Sequence, residues 1–77
     1  MKACILIKTT PGTQGEVFEA VEQLPGVKLA FPVFGRTDII VNVEVPSFQD
    51  LVKVIEKAKE QTGVTASETL VEMEAIR

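Results

Sequence analysis

An α+β fold in which a strand–helix–strand unit occurs twice is what this chain of 77 residues predicts. Three observations carry the prediction. Ala3–Ile7 is a branched, continuously apolar run too short for a helix. Two stretches of helical periodicity each follow a capping signal, at Thr13 and at Ser47. The remaining apolar segments alternate with period two and are bounded by Pro and Gly. A chain of this length supports a single domain, residues 1–77, and buries only roughly 60 to 65% of its unfolded surface, so a stable monomer would be marginal.

The elements follow in order. Ala3–Ile7 reads as a central first strand buried on both faces. Thr9-Thr10-Pro11-Gly12 breaks it, and Thr13-Gln14-Gly15-Glu16 has the spacing of a capping box. The helix that begins there carries Val17, Ala20, Val21 and Leu24 as one apolar stripe, with Glu16, Glu19, Glu22 and Gln23 toward water, and ends at Pro25-Gly26. Val27, Leu29, Phe31 and Val33 alternate with Lys28, Ala30, Pro32 and Phe34 in a second strand. Pro32 cannot donate to a ladder and so places that strand at a sheet edge.

Ile39, Val41, Val43 and Val45 share one face of a third strand, and Asp38, Ile40, Asn42 and Glu44 share the other. Pro46 terminates it. Ser47-Phe48-Gln49-Asp50 opens a second helix with the stripe Phe48, Leu51, Val52, Ile55 and Ala58, and Gly63 sits where a left-handed C-cap is expected. Thr69, Val71 and Met73 alternate with Glu68, Leu70, Glu72 and Glu74 in a last strand whose acidic residues would blunt an exposed edge. Right-handed crossovers then favour an antiparallel sheet in the order 4-1-3-2 with both helices on one face, the ferredoxin-like plait.

Composition removes several function classes. A net charge of −3 and a pI near 4.8 argue against a nucleic-acid surface, which needs clustered Lys and Arg. No apolar run approaches a membrane span, and no cleavable signal precedes the first strand, so a cytoplasmic location is expected. The single Cys4 lies in an apolar run and reads as a small buried hydrophobe. With one Cys and no His, the usual transition-metal ligand sets and imidazole-based nucleophilic catalysis have no residues to use, so no metal, cofactor or catalytic residue is expected. Pro11–Gly15 has a superficial likeness to a phosphate loop but lacks its Gly-Lys-Ser/Thr element, and a helix cap explains it better.

Cys4, Leu6, Ala30, Phe34, Ile40 and Leu70 fall on the sheet face away from the helices and make it too apolar for water. Four strands at ~4.8 Å spacing and ~17 Å length give a footprint of roughly 300 Å², comparable to the largest apolar patches of monomers. Dimerisation through the sheet is the physical expectation. Phe34-Gly35-Arg36-Thr37-Asp38, running into the third strand, forms a tight polar turn that can present backbone donors, a hydroxyl and a carboxylate to a small polar ligand. A plain hairpin, with Gly35 at positive φ and Asp38 capping the turn, accounts for the same residues.

Leu24-Pro25-Gly26-Val27 before the second strand, Gly35–Val41 entering the third and Ser67-Glu68-Thr69-Leu70 opening the fourth resemble the effector domain of the Lrp/AsnC feast-or-famine regulators, the RAM domain. The likeness spans nearly the whole chain and rests on the joint order of short motifs, departing at Thr37, where the family commonly has an aromatic residue. The resemblance implies sheet-to-sheet dimers that assemble into rings and bind amino acids between dimers, with Gly35, Arg36, Thr37 and Asp38 contributing to the cleft. Thr65, Ala66 and Ser67, read as a loop ahead of the fourth strand, would reach that cleft from a neighbouring subunit. The chain lacks the family's helix-turn-helix and so resembles the stand-alone form, acting without direct contact to nucleic acid or membrane and co-assembling with full-length Lrp/AsnC regulators. Two other classes stay open: an interaction module without a ligand, and a dimeric α/β-barrel monooxygenase, for which only Asp38, Asn42 and Glu44 would furnish a polar pocket.

Overall fold

The computed structural model describes residues 1–73. Its elements are β1 (Lys2–Thr9), α1 (Gln14–Glu22), β2 (Val27–Pro32), β3 (Ile39–Glu44), α2 (Phe48–Lys59) and β4 (Val64–Val71). The four strands form one antiparallel sheet in the order β2-β3-β1-β4, the expected plait with the two edge strands where Pro32 and the acidic residues place them.

The core lies between the sheet and the helices. Ala3, Ile5 and Ile7 of β1 and Ile39, Val41 and Val43 of β3 are buried there against Val17 and Val21 of α1 and Leu51, Val54 and Ala58 of α2. Branched side chains suit this position because their restricted χ1 costs little on a pleated surface. Contrary to the expectation for β1, its burial alternates, and Cys4 and Leu6 are only half-buried because no layer covers the second face. That partial burial raises the Cys4 thiol pKa by disfavouring the thiolate.

Two further expectations are corrected in the strands. A register irregularity between Val27 and Leu29 changes the phase of β2, so Ala30 pairs with Val41 on the helix side while Leu29 and Phe31 pair with Asn42 and Ile40 on the open face. β2 also ends at Pro32, before Phe34. β4 begins at Val64, which places Thr65, Ala66 and Ser67 inside the strand and not in a loop before it. Glu74, assigned to that strand from its alternation, lies outside the described residues.

The helices differ in how they start. Ser47 has extended backbone and its hydroxyl oxygen accepts the Asp50 N–H at 3.2 Å, while its O–H donates to the Asp50 carboxylate at 2.7 Å. Thr13 makes no such cap: its backbone is already near-helical and its hydroxyl donates to the Thr10 carbonyl at 2.8 Å. The α2 stripe is turned from the expected one. Val54 joins Leu51 and Ala58 in the core, Val52 and Ile55 are half-buried and Phe48 is 58% exposed. α2 ends on Glu60 rather than at Gly63. Gly63 instead holds φ +104 in the next turn, where a Cβ would fall 2.6 Å from the Thr13 hydroxyl, and its carbonyl accepts the Thr10 N–H at 2.8 Å.

Candidate functional site

The segment 33–38 joins β2 to β3 at the end of the sheet where β1 leaves for α1. The Val33 N–H donates to the Asp38 carbonyl at 2.9 Å and closes the connection, and the Asp38 N–H donates to the Ile7 carbonyl at 2.8 Å, continuing the β3–β1 pairing beyond the last strand residue. The Asp38 carboxylate turns toward β1. Its Oδ2 accepts the Thr9 N–H at 2.7 Å and the Thr9 hydroxyl at 3.3 Å. Gln14, at the start of α1, donates through Nε2 to the carbonyls of Asp38 at 2.7 Å and Val33 at 3.3 Å. Lys8 spans the outside of the turn and donates to the Arg36 carbonyl at 3.1 Å.

The turn is thus fastened at both feet and at its crown. Between those fastenings Phe34, Gly35 and Arg36 are exposed, and Thr37 is half-buried. Gly35 takes φ +138 with nothing within 4 Å of where a Cβ would stand, so conformation and not space calls for glycine there. Among the described residues the N–H groups of residues 34–37 donate to no protein acceptor. Successive free N–H groups on a rigid turn suit a carboxylate.

The second expected cluster lies on the other flank of the same strand end. Thr65 donates its hydroxyl to the Lys8 carbonyl at 3.2 Å, Ala66 is opposite Lys8 in the β1–β4 register, and Ser67 is opposite Ile7. Gly35–Asp38 and Thr65–Ser67 are therefore brought to one end of the sheet within a single chain, with Lys8 between them. Ser67 shares the helix-facing side with Ile7 and stands apart from Ala66, which shares the open face with Lys8.

Sequence reasoning passed over Lys8, Thr9 and Gln14. Lys8 and Thr9 follow directly on the apolar run, and a polar pair at the end of a central strand was the available signal. Gln14 gave none, since its contacts span 19 and 24 residues of sequence.

Another depression lies away from the turn. A hollow of about 460 Å³ lies on the open sheet face, lined by Cys4, Asn42 and Leu70 and bordered by Lys2, Lys28, Glu44 and Glu72. Leu29, Phe31 and Leu70 are exposed on that face.

A model of the Lrp/AsnC ligand-binding domain matches residues 2–77. The chain belongs to the Lrp/AsnC family. An uncharacterised HTH-type transcriptional regulator of Pyrococcus furiosus is 35% identical over 97% of the chain, which corresponds to 53% of that protein, so the chain spans about half the length of this curated relative. Among solved structures, a Thermus thermophilus protein superimposes with a TM-score of 0.90 at 26% identity, covering 99% of this chain and 96% of that one. Escherichia coli AsnC superimposes with a TM-score of 0.81 at 22% identity, over 99% of this chain and 54% of that one, a likeness of fold alone. This Lrp/AsnC domain carries a sheet with one apolar uncovered face and a hydrogen-bonded polar turn at its end. Membership assigns the chain to a family of regulators. Among the described residues no helix is long and apolar enough to cross a membrane.

Proposed function

We propose that this Lrp/AsnC domain is an effector-sensing assembly module: it pairs through its open sheet face, and the resulting dimers associate further around small zwitterionic ligands, amino acids foremost. The turn at residues 34–37, with its free N–H groups held rigid by Asp38, Gln14 and Lys8, is the observation that carries this reading. The ligand carboxylate is received by the backbone of Gly35 and Arg36 and the Thr37 hydroxyl. Thr65 and Ala66, across Lys8, complete the rim, and Ser67 supports it from beneath.

Asp38 has a double part. Oδ2 is engaged by Thr9, and Oδ1 remains for the ligand ammonium. A ligand held between dimers shifts assembly by mass action, by the ratio of its affinities for the two states. The same surfaces would admit a full-length Lrp/AsnC regulator into a mixed assembly in the cytoplasm, with this domain contributing regulation and no catalysis.

Engagement of Asp38 by Thr9 favours a second reading, an interaction module of the same fold whose turn is purely structural. Light scattering of the protein alone and with each of the twenty amino acids at millimolar concentration separates the two. A mass above that of a dimer that shifts with particular amino acids is expected. A dimer indifferent to all twenty refutes the sensor and leaves the interaction module.

A further inference from the structure

At the end of the sheet away from the turn, a second cleft of 280 Å³ opens between the α1–β2 connection, the end of β3 and one face of α2. Its floor is apolar and tight. Leu24, Val45 and Val54 form it, and Gly26 packs so closely that a Cβ there would fall 2.7 Å from Val45. The backbone around it is pinned by the Glu44 N–H donating to the Gly26 carbonyl at 2.9 Å and by the N-terminal ammonium donating to the Val45 carbonyl at 2.8 Å.

The rim carries charges of both signs. Lys53 and Lys57 stand one helical turn apart on α2 and so on one face, while Asp50 precedes Lys53 by three residues on the same helix. Among the described residues none of these groups forms an ion pair with another. Asp50 uses Oδ2 for the Ser47 hydroxyl and keeps Oδ1 free. A purely apolar ligand would leave this rim unused, and a simple anion would meet Asp50. A small molecule carrying one carboxylate, one ammonium and a short branched apolar group satisfies the rim and the floor together.

We infer that this cleft is a second small-ligand site, selective for apolar zwitterions of amino-acid size and built wholly within one chain. Lys53 and Lys57 receive the carboxylate, Asp50 the ammonium, and Leu24, Val45 and Val54 the apolar group. The site is independent of the turn and of any assembly, so it loads in the lone domain and fills at a ligand concentration unrelated to the one that acts at Asp38.

The test is amide-resolved NMR titration of the full chain with L-leucine, L-leucinamide and isocaproate. Saturable shifts of the Gly26, Lys53 and Val54 amides with L-leucine are expected, persisting in Asp38→Ala, with at least about tenfold weaker binding of either analogue lacking one charge. A Lys53→Met/Lys57→Met variant keeps both aliphatic stems on exposed helix positions and is expected to weaken L-leucine and isocaproate at the cleft about tenfold while leaving leucinamide, which relies on Asp50, nearly unchanged. Shifts confined to residues 34–38 would overturn the second site and leave the effector reading intact. Shifts at the cleft with none at the turn in the unmutated protein would support the second site and count against that reading. L-leucine, leucinamide and isocaproate moving the cleft amides equally would overturn the zwitterion assignment.

Discussion

Asp38 shows how one residue can be structural and available at once. Its carboxylate accepts the Thr9 N–H, an otherwise unpaired backbone donor where β1 leaves the sheet. Removing such an acceptor costs the bond and strands the donor, about 1 to 3 kcal/mol. Asp38→Ala is therefore expected to lower the unfolding free energy read from urea denaturation by that amount and to abolish any amino-acid response at the turn. Asp38→Asn, which keeps a carbonyl oxygen for Thr9, should recover most of the stability without the ammonium-binding charge. A variant as stable as the parent would show that the Thr9 contact contributes nothing.

Gly35 is a separate case. At φ +138 any side chain is strained whatever the space, so Gly35→Ala should cost about 1 to 3 kcal/mol by thermal melting while the sheet stays intact by circular dichroism. Cys4 responds to pH through burial. Its folded thiol pKa lies above the unfolded value, so the native state holds its proton longer than the unfolded chain does. Stability from this group is complete below the unfolded thiol pKa and declines as pH rises toward the folded one. Iodoacetamide should accordingly modify the native protein at pH 8 more slowly than the urea-unfolded protein, and equal rates would place Cys4 in an open, aqueous setting.

Among the elements, α2 gives the sharpest contrast. Leu51 is fully buried and Phe48 stands largely in water, although both belong to the apolar pattern of the sequence. Leu51→Ala should cost about 2 to 5 kcal/mol and Phe48→Ala less than about 0.5, read from chemical denaturation of the two variants side by side. Ser47→Ala removes a cap that is present and should cost about 1 kcal/mol. The strands were legible because alternation survives any tertiary environment that covers one face. The phase of β2 was not legible, because the irregularity at Lys28 is a property of its pairing with β3 and leaves no mark on the apolar pattern of Val27–Phe34 itself.

For the whole molecule, the uncovered sheet face is decisive. Leu6 and Ile40 sit in its middle strands, half-buried without a covering layer, and Leu29, Phe31 and Leu70 are exposed toward its edges. Leu6→Lys is expected to convert a sheet-paired dimer into a monomer of unchanged secondary structure, followed by sedimentation velocity alongside circular dichroism. A variant that sediments as the parent does would rule the open face out as the pairing surface.

The sequence by itself determined the order of strands and helices, the edge and central roles of the strands, and a polar turn between the second and third strands. All of these follow from local propensity, periodicity and the positions of Pro and Gly, which act over a few residues. Only the tertiary structure decided that Asp38 reaches back 29 residues to Thr9, that Thr65–Ser67 lie in a strand beside the same Lys8, and that α2 buries Val54 instead of Phe48. Each of those depends on which groups the packed sheet leaves without a partner, a quantity that exists only once distant segments have met.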